Sequence, residues 1–140
     1  MEKTDHPERA WISLILRVAM AALFTAAVVP KFQRGLESIV VLFQGAFKDS
    51  WLPMPLVTLH ARLVPWIELL LPLWLVAGWK LRWAWVTAAL FMTTLAFGML
   101  VTEKGGSVAA ANFNYMLICC VGLYFSRYDR FGLDGFSRSK

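Results

Sequence analysis

The chain has 140 residues, of which 59% are hydrophobic and 16% are charged, and its mean hydropathy is +0.58. Soluble domains are about 45–50% apolar and about 25% charged, so this composition excludes an ordinary soluble domain and predicts a membrane protein. The net charge of +5 does not indicate nucleic-acid binding, because the basic residues lie mostly at the ends of apolar segments and form no basic face.

Four apolar segments follow one another along the chain, over residues 10–29, 59–78, 83–101 and 109–125. About 20 helical residues are enough to cross the roughly 30 Å hydrocarbon layer of a membrane. The turn between the second and third segments is very short, so these two helices are predicted to be antiparallel neighbours. The sequence therefore predicts one all-α transmembrane domain over residues 1–140, built as a four-helix bundle.

A shorter helical pattern lies in the connection between the first two spans. Its apolar residues recur at nearly helical spacing: Leu36, Ile39, Val40, Phe43 and Phe47. Polar residues such as Glu37 and Gln44 fall elsewhere on the helix. This pattern predicts a short amphipathic helix at the membrane interface, between spans one and two.

The distribution of Lys and Arg predicts the orientation, because cytoplasmic segments carry the excess of these residues. The tails and the short turn share one side and carry eight: Lys3, Arg9, Lys80, Arg82, Arg127, Arg130, Arg138 and Lys140. The opposite side carries four: Lys31, Arg34, Lys48 and Lys104. We therefore expect a multi-pass protein of the bacterial cytoplasmic (inner) membrane, with both termini in the cytoplasm.

Two ionisable residues lie inside the predicted spans. Helical rise places Arg17 about 10 Å and Glu68 about 15 Å from the cytoplasmic ends of their spans. A charge at such depth costs roughly 2.5–3.5 kcal/mol on insertion and pairing offsets part of this cost, so we predict a buried Arg17–Glu68 ion pair. Three roles stay open: a structural pair that fixes helix register, a proton-active or quinone-contacting carboxylate at Glu68, or an Arg17 that extends to the interface.

A second polar group is predicted near the outer ends of the spans. It comprises Lys31, His60, Arg62, Asn112, Asn114 and Glu103. These side chains offer contacts to a quinone, a small anion or a lipid head group, or they serve only as lipid anchors. No metal or haem site is predicted, because His60 has no H-x-x-H or E-x-x-H companion and the two cysteines, Cys119 and Cys120, are adjacent.

Pro65 and Pro72 lie on either side of Glu68 in the second span. Each proline removes a backbone hydrogen bond, and a carbonyl freed in this way lines a cavity or marks a kink. Prolines are also ordinary in transmembrane helices. Their position favours a pocket beside Glu68.

Short motifs in three parts of the chain carry a family resemblance. They are Leu16-Arg17-Val18 with Phe24 and Pro30-Lys31-Phe32, Glu68 with Gly78 and Arg82, and the ending Gly132-Leu133-Asp134. Together they resemble the DoxX-like family of four-helix bacterial membrane proteins. The resemblance implies a four-helix bundle with Arg17, Lys31, Glu68 and Arg82 at matched positions. The chain departs from the pattern at Ala21 and Val28, where glycine is usual, and at Pro72.

That family includes the membrane subunit of a thiosulfate:quinone oxidoreductase, and a related branch assists the maturation of methylamine dehydrogenase. Our leading hypothesis is an accessory integral-membrane subunit of a larger bacterial respiratory or photosynthetic redox complex, with a packing and stabilising role. It would have no catalytic residue and no intrinsic cofactor, and its partners would be membrane lipids and larger integral-membrane subunits. Small-xxx-small pairs suited to helix packing are available at Ala22/Ala26 and Ala84/Ala88.

The alternative hypothesis is a quinone-linked oxidoreductase membrane subunit with a buried Glu-Arg pair at a quinone pocket. In that case Glu68 would handle a quinone proton and Arg17 would tune its acidity. Under either hypothesis, the possible ligands are a quinone and a bound lipid.

Overall fold

The computed structural model describes residues 7–102 and 105–133, and these residues form helices and short connections without any strand. The elements are α1 (Pro7–Arg34), α2 (Leu36–Phe47), α3 (Met54–Ala77), α4 (Leu81–Val101) and α5 (Gly106–Phe125), followed by a 3₁₀ turn (Ser126–Tyr128). Four of the helices in this part of the chain are long and apolar enough to cross a membrane, namely α1, α3, α4 and α5. The prediction of an all-α membrane helical bundle is confirmed.

The helices extend beyond the predicted spans at several ends. Helix α1 continues through Pro30 to Arg34, and α3 begins at Met54, earlier than the hydropathy pattern indicates. A proline removes only one helical hydrogen bond, so α1 can continue for one more turn before Gly35 ends it with a positive φ of 88°. Several residues used in the sequence argument lie outside the described residues: Lys3, Glu103, Lys104, Asp134, Arg138 and Lys140.

The four long helices pack mainly as two pairs, α1 with α3 and α4 with α5. We call the end of the bundle at which α1 and α4 begin and α3 and α5 end the terminal end, and the opposite end the loop end. A single core joins the pairs, with Phe24, Leu75 and Trp85 among its most buried side chains. Four polar or charged residues of the described chain are buried in the bundle: Ser13, Arg17, Glu68 and Asp129.

Helices α4 and α5 approach closely because small residues face each other between them. Ala84 and Ala88 of α4 are fully buried, and a Cβ atom at Gly122 of α5 would lie 2.5 Å from the ring of Trp85. Backbones that meet through small residues gain dispersion contacts, which are a main source of helix association in membranes. Ala22 and Ala26 of α1, in contrast, are exposed on the outside of the bundle.

Helix α2 packs against α3 at the loop end. Its buried residues, Ile39, Val40, Phe43 and Phe47, are four of the five that the sequence pattern places on one face. They cover Val57 and Ala61 of α3. The opposite side of α2 exposes the apolar Val41 and Leu42, as suits a helix in contact with the membrane interface.

Candidate functional site

Arg17 is almost completely buried, with 2% of its surface exposed. Its Nη1 donates to Oδ1 of Asp129 at 2.7 Å. Its Nε donates to the Leu75 carbonyl at 2.8 Å and its Nη2 to the Val76 carbonyl at 2.7 Å. Those carbonyls belong to the last turn of α3, which has no intrahelical donors left to bond them. Arg17 thus caps α3 and at the same time neutralises the Asp129 carboxylate.

The chain that follows α5 folds back over the terminal end of the bundle. Oδ2 of Asp129 accepts a hydrogen bond from the Gly132 backbone N–H at 2.9 Å. Gly132 in turn packs against Gly78, where a Cβ atom would lie 2.7 Å from the Gly132 Cα atom. We call the four residues Arg17, Gly78, Asp129 and Gly132 the terminal clasp. It joins the first span, the end of the second and the chain after the fourth.

Aromatic contacts reinforce this clasp at its edge. Nη1 of Arg9 donates to the Tyr128 hydroxyl at 3.1 Å, and its guanidinium lies 5.0 Å from the centre of the same ring. The rings of Trp11 and Phe131 have centroids 5.0 Å apart. Tyrosine and tryptophan favour the boundary between lipid and water. These contacts therefore suit a cluster at the membrane surface.

The predicted Arg17–Glu68 ion pair is wrong. Arg17 bonds Asp129, and Glu68 bonds Lys31 instead. Glu68 precedes Leu75 by seven residues on α3, which corresponds to about 10 Å along the helix axis. The guanidinium of Arg17 is bound at the level of Leu75, so the Glu68 carboxylate lies too deep for it.

The second buried ion pair joins α1 to α3 nearer the loop end. Nζ of Lys31 donates to Oε2 of Glu68. The Glu68 side chain is 4% exposed and the Lys31 side chain 23% exposed. Lys31 lies near the end of α1, and its long aliphatic stem lets the ammonium group reach inward from that position. The pair therefore has one enclosed member, the carboxylate, and one that retains access to the exterior.

Glu68 also lines a cavity of about 170 Å³ between α1, α3, α4 and α5. Two polar side chains of α5, Asn112 and Tyr115, line the same cavity. The remaining lining is apolar: Met20, Leu23, Phe24, Ala27, Met92 and Leu95. Pro72 lies inside α3 and lacks the N–H that would bond the Glu68 backbone carbonyl four residues earlier. Polar groups from two helices thus meet in an otherwise apolar interior.

The structure separates the other members of the predicted outer polar group. His60 lines a different pocket of about 400 Å³, which is mostly apolar and lies between α2, α3 and α4. Its ring centroid is 6.4 Å from that of Phe43. Arg62 is exposed beside a third, open pocket, and Asn114 is also exposed. Of the members of the group that the structure describes, Lys31 and Asn112 lie at the Glu68 site.

Two residues at these sites escaped the sequence argument. Asp129 lies in a polar tail, where the composition gives no reason to single out a carboxylate. The sequence feature that could have identified it is the glycine three residues later, Gly132, whose backbone N–H the Asp129 side chain bonds. Tyr115 is the third residue after Asn112 on α5, so the two share a helix face. That periodicity was the available signal for it.

The side chains that could hold a metal ion are dispersed in the described part of the chain. Within residues 7–102 and 105–133, no three His, Cys, Asp or Glu side chains lie close enough together to hold a metal ion. Cys119 is buried and Cys120 is exposed, and both are free thiols. Sγ of Cys120 lies 3.8 Å from Sδ of Met116, one helical turn earlier.

The fold and these contacts define a polytopic helical membrane protein with two buried ion pairs. One joins the first span to the chain after the fourth, and the other joins the first span to the second and borders a partly open cavity. The chain belongs to the family of the methylamine utilisation protein MauE, whose family model matches residues 9–125. This range contains all of α3, α4 and α5 and nearly all of α1. No curated protein and no solved structure matches the chain.

The resemblance to the DoxX-like family is therefore wrong, since the matched family is a different one. The motifs behind that resemblance are short, and apart from five charged residues they consist of apolar residues, glycine and proline. In a four-span protein such residues are dictated by the lipid environment and discriminate poorly between families. The Gly132-Leu133-Asp134 ending also lies beyond the matched range.

Proposed function

We propose that the chain is an accessory integral-membrane protein of a bacterial methylamine-utilising redox system, with a role in assembling or stabilising that system. The observation that carries the proposal is the match to the MauE family over residues 9–125. Most of that range lies in four helices that are long and apolar enough to span a membrane. The chain thus offers a membrane-embedded scaffold for a larger partner.

The use of the buried charges also supports a stabilising role. All three donor nitrogens of the Arg17 side chain bond groups of the chain itself, two of them backbone carbonyls of α3. Such an arrangement holds helices in register. It is the behaviour expected of a rigid membrane scaffold.

For the location we propose the bacterial cytoplasmic membrane, with both termini in the cytoplasm. The terminal end carries the larger share of basic side chains in the described residues: Arg9, Lys80, Arg82, Arg127 and Arg130. A cysteine-accessibility experiment tests this orientation. In a Cys119→Ser/Cys120→Ser background, Asp49→Cys should react with a membrane-impermeant maleimide from outside, and Arg82→Cys only after permeabilisation. The reverse pattern would overturn the orientation.

We propose larger integral-membrane subunits and membrane lipids as partners. The exposed Ala22 and Ala26 on α1 suit close approach by a partner helix. The mostly apolar pocket beside His60 suits a lipid acyl chain.

The experiment is a deletion of the gene in its native host, with the wild-type chain restored from a plasmid as the control. Growth on methylamine and the amount of assembled amine dehydrogenase in the cell are measured. We expect both to fall in the deletion strain and to recover on restoration. Purification of the chain in mild detergent should bring larger subunits with it. Normal growth and normal amounts of active enzyme in the deletion strain would overturn the proposal.

A further inference from the structure

We propose that the cavity beside Glu68 binds a small primary alkylammonium ion, of which methylammonium is the smallest organic member. The chemical class follows from the cavity itself. The choice of methylammonium as the first ion to test rests on the proposed function.

The Glu68 carboxylate already binds a primary ammonium group, which belongs to the chain itself. The Lys31 side chain is a primary ammonium on an alkyl stem, and its Nζ donates to Oε2 of Glu68. That bond leaves Oε1 as a further acceptor, since an ionised carboxylate offers two oxygens. A free alkylammonium with the same –NH₃⁺ group can make the same charge-assisted hydrogen bond.

The cavity lining supplies what the rest of such an ion needs. Asn112 and Tyr115 line the cavity, and their side chains carry oxygens that can accept a second and a third N–H. Phe24 and Tyr115 are aromatic lining residues of the kind that attract a cation, and the methionine and leucine side chains of the lining suit an alkyl group. A volume of about 170 Å³ has room for about five heavy atoms, if each takes roughly the 30 Å³ of a liquid water molecule.

Charge balance requires that the bound ion displace the Lys31 ammonium group from the Glu68 carboxylate. Two ammonium groups on one buried carboxylate would leave an uncompensated positive charge. The Lys31 side chain is 23% exposed and lies near the end of α1, so its ammonium can turn outward to the interface. Glu68 then remains paired before and after binding. Lys31 therefore acts as an internal competitor, and its removal should strengthen binding.

The test is isothermal titration of the purified full-length protein, in detergent, with methylammonium chloride at constant ionic strength. Tetramethylammonium chloride is the matched control salt, because this ion carries the same charge but has no N–H donor. We expect saturable binding of methylammonium and none of tetramethylammonium. Equal heats from the two salts would overturn the proposal.

Three variants identify the site. Glu68→Gln keeps the shape of the side chain and should weaken binding at least tenfold. Lys31→Met should strengthen it at least tenfold, whereas Arg62→Met, which removes a basic residue on α3 away from the cavity, should leave it unchanged. Unchanged binding in Glu68→Gln, or no binding in both the wild-type protein and Lys31→Met, would overturn the proposal.

A further variant keeps the proposal testable if Glu68→Gln does not fold. Asn112→Leu removes an acceptor, partly fills the cavity and leaves the Glu68–Lys31 pair intact, so it should weaken binding even if Glu68→Gln fails to fold. The titration uses no component of the host redox system. A negative titration would therefore contradict the alkylammonium site and would leave the proposed accessory role untouched. The phenotype of the deletion strain tests that role separately.

Discussion

Arg17 and Asp129 form a buried ion pair although 112 residues separate them in the chain. The Nη1–Oδ1 distance is 2.7 Å, and the two side chains are 3% and 2% exposed. A pair between such distant residues forms only when the first span and the chain after the fourth span are both in place. The terminal clasp can therefore form only after all four spans have packed together.

Arg17→Met should destabilise the protein strongly. It leaves the Asp129 carboxylate buried without its cation and the Leu75 and Val76 carbonyls without donors, and breaking a buried pair typically costs about 3–5 kcal/mol. Equilibrium unfolding in mixed micelles measures the loss of unfolding free energy. Arg82→Met, at an exposed arginine of the same end, is the control and should change stability by less than about 0.5 kcal/mol. Similar losses in the two variants would contradict this role of Arg17.

Asp129→Asn should be milder than Arg17→Met. The asparagine oxygen can still accept from Arg17, and the loss is mainly the negative charge opposite the guanidinium. The α3 carbonyls retain their donors, but the buried guanidinium loses its counter-charge, so in the same unfolding experiment we expect a loss near the lower end of the about 3–5 kcal/mol typical of a broken buried pair. A loss as large as that of Arg17→Met would mean that the ion pair dominates over the capping of α3.

Gly78→Ala should destabilise the terminal clasp through backbone strain and steric overlap. Gly78 has φ +65°, and a Cβ atom there would lie 2.7 Å from Gly132 Cα and 2.9 Å from Nη2 of Arg17. The left-handed conformation alone costs an alanine about 1–2 kcal/mol, and the contacts add to this. Gly45→Ala in α2 is the control, since its Cβ would meet nothing within 4 Å; it should be neutral or stabilising by up to about 1 kcal/mol. Thermal unfolding compares the two, and equal shifts would contradict the close packing at Gly78.

Gly122→Ala should separate α4 from α5. A Cβ atom at this position would lie 2.5 Å from Cε2 of Trp85, a fully buried ring that cannot easily move aside. Overpacking of this kind costs about 1–3 kcal/mol. Gly98→Ala is the matched control in α4, where the nearest atom, Cζ of Phe47, is 3.5 Å away. The Trp fluorescence of the native state should change only in Gly122→Ala; an unchanged spectrum and stability would show that the helices are not in this register.

Lys31→Met and Glu68→Gln should differ in cost although they remove the same ion pair. Without Lys31 the Glu68 carboxylate, 4% exposed, stays enclosed and uncompensated. Without the Glu68 charge, Lys31 can turn outward to the interface. We therefore expect Lys31→Met to lose more unfolding free energy, with a coupling of about 0.5–3 kcal/mol in the double-mutant cycle. Equal losses would indicate that Lys31 is as tightly enclosed as Glu68.

The elements of the fold were largely predictable, because hydropathy and periodicity act locally. The face of α2 is an example: Ile39, Val40, Phe43 and Phe47 follow helical spacing in the sequence and are buried together in the structure. The pairing of Arg17 was not predictable. Its partner, Asp129, lies in a polar tail, where a carboxylate carries no sequence signal of burial, whereas a charge inside an apolar segment does.

The sequence by itself determined that the chain is a helical membrane protein with four apolar spans. It also indicated that Arg17 and Glu68 need a partner or access to water, because a charge in an apolar layer is costly wherever the chain folds. Only the tertiary structure decided which partners they find. The choice depends on relative helix height, on the return of the tail over the end of α3, and on the reach of Lys31 from the end of α1. These are relations between distant segments, and the local periodicity of any one segment does not encode them.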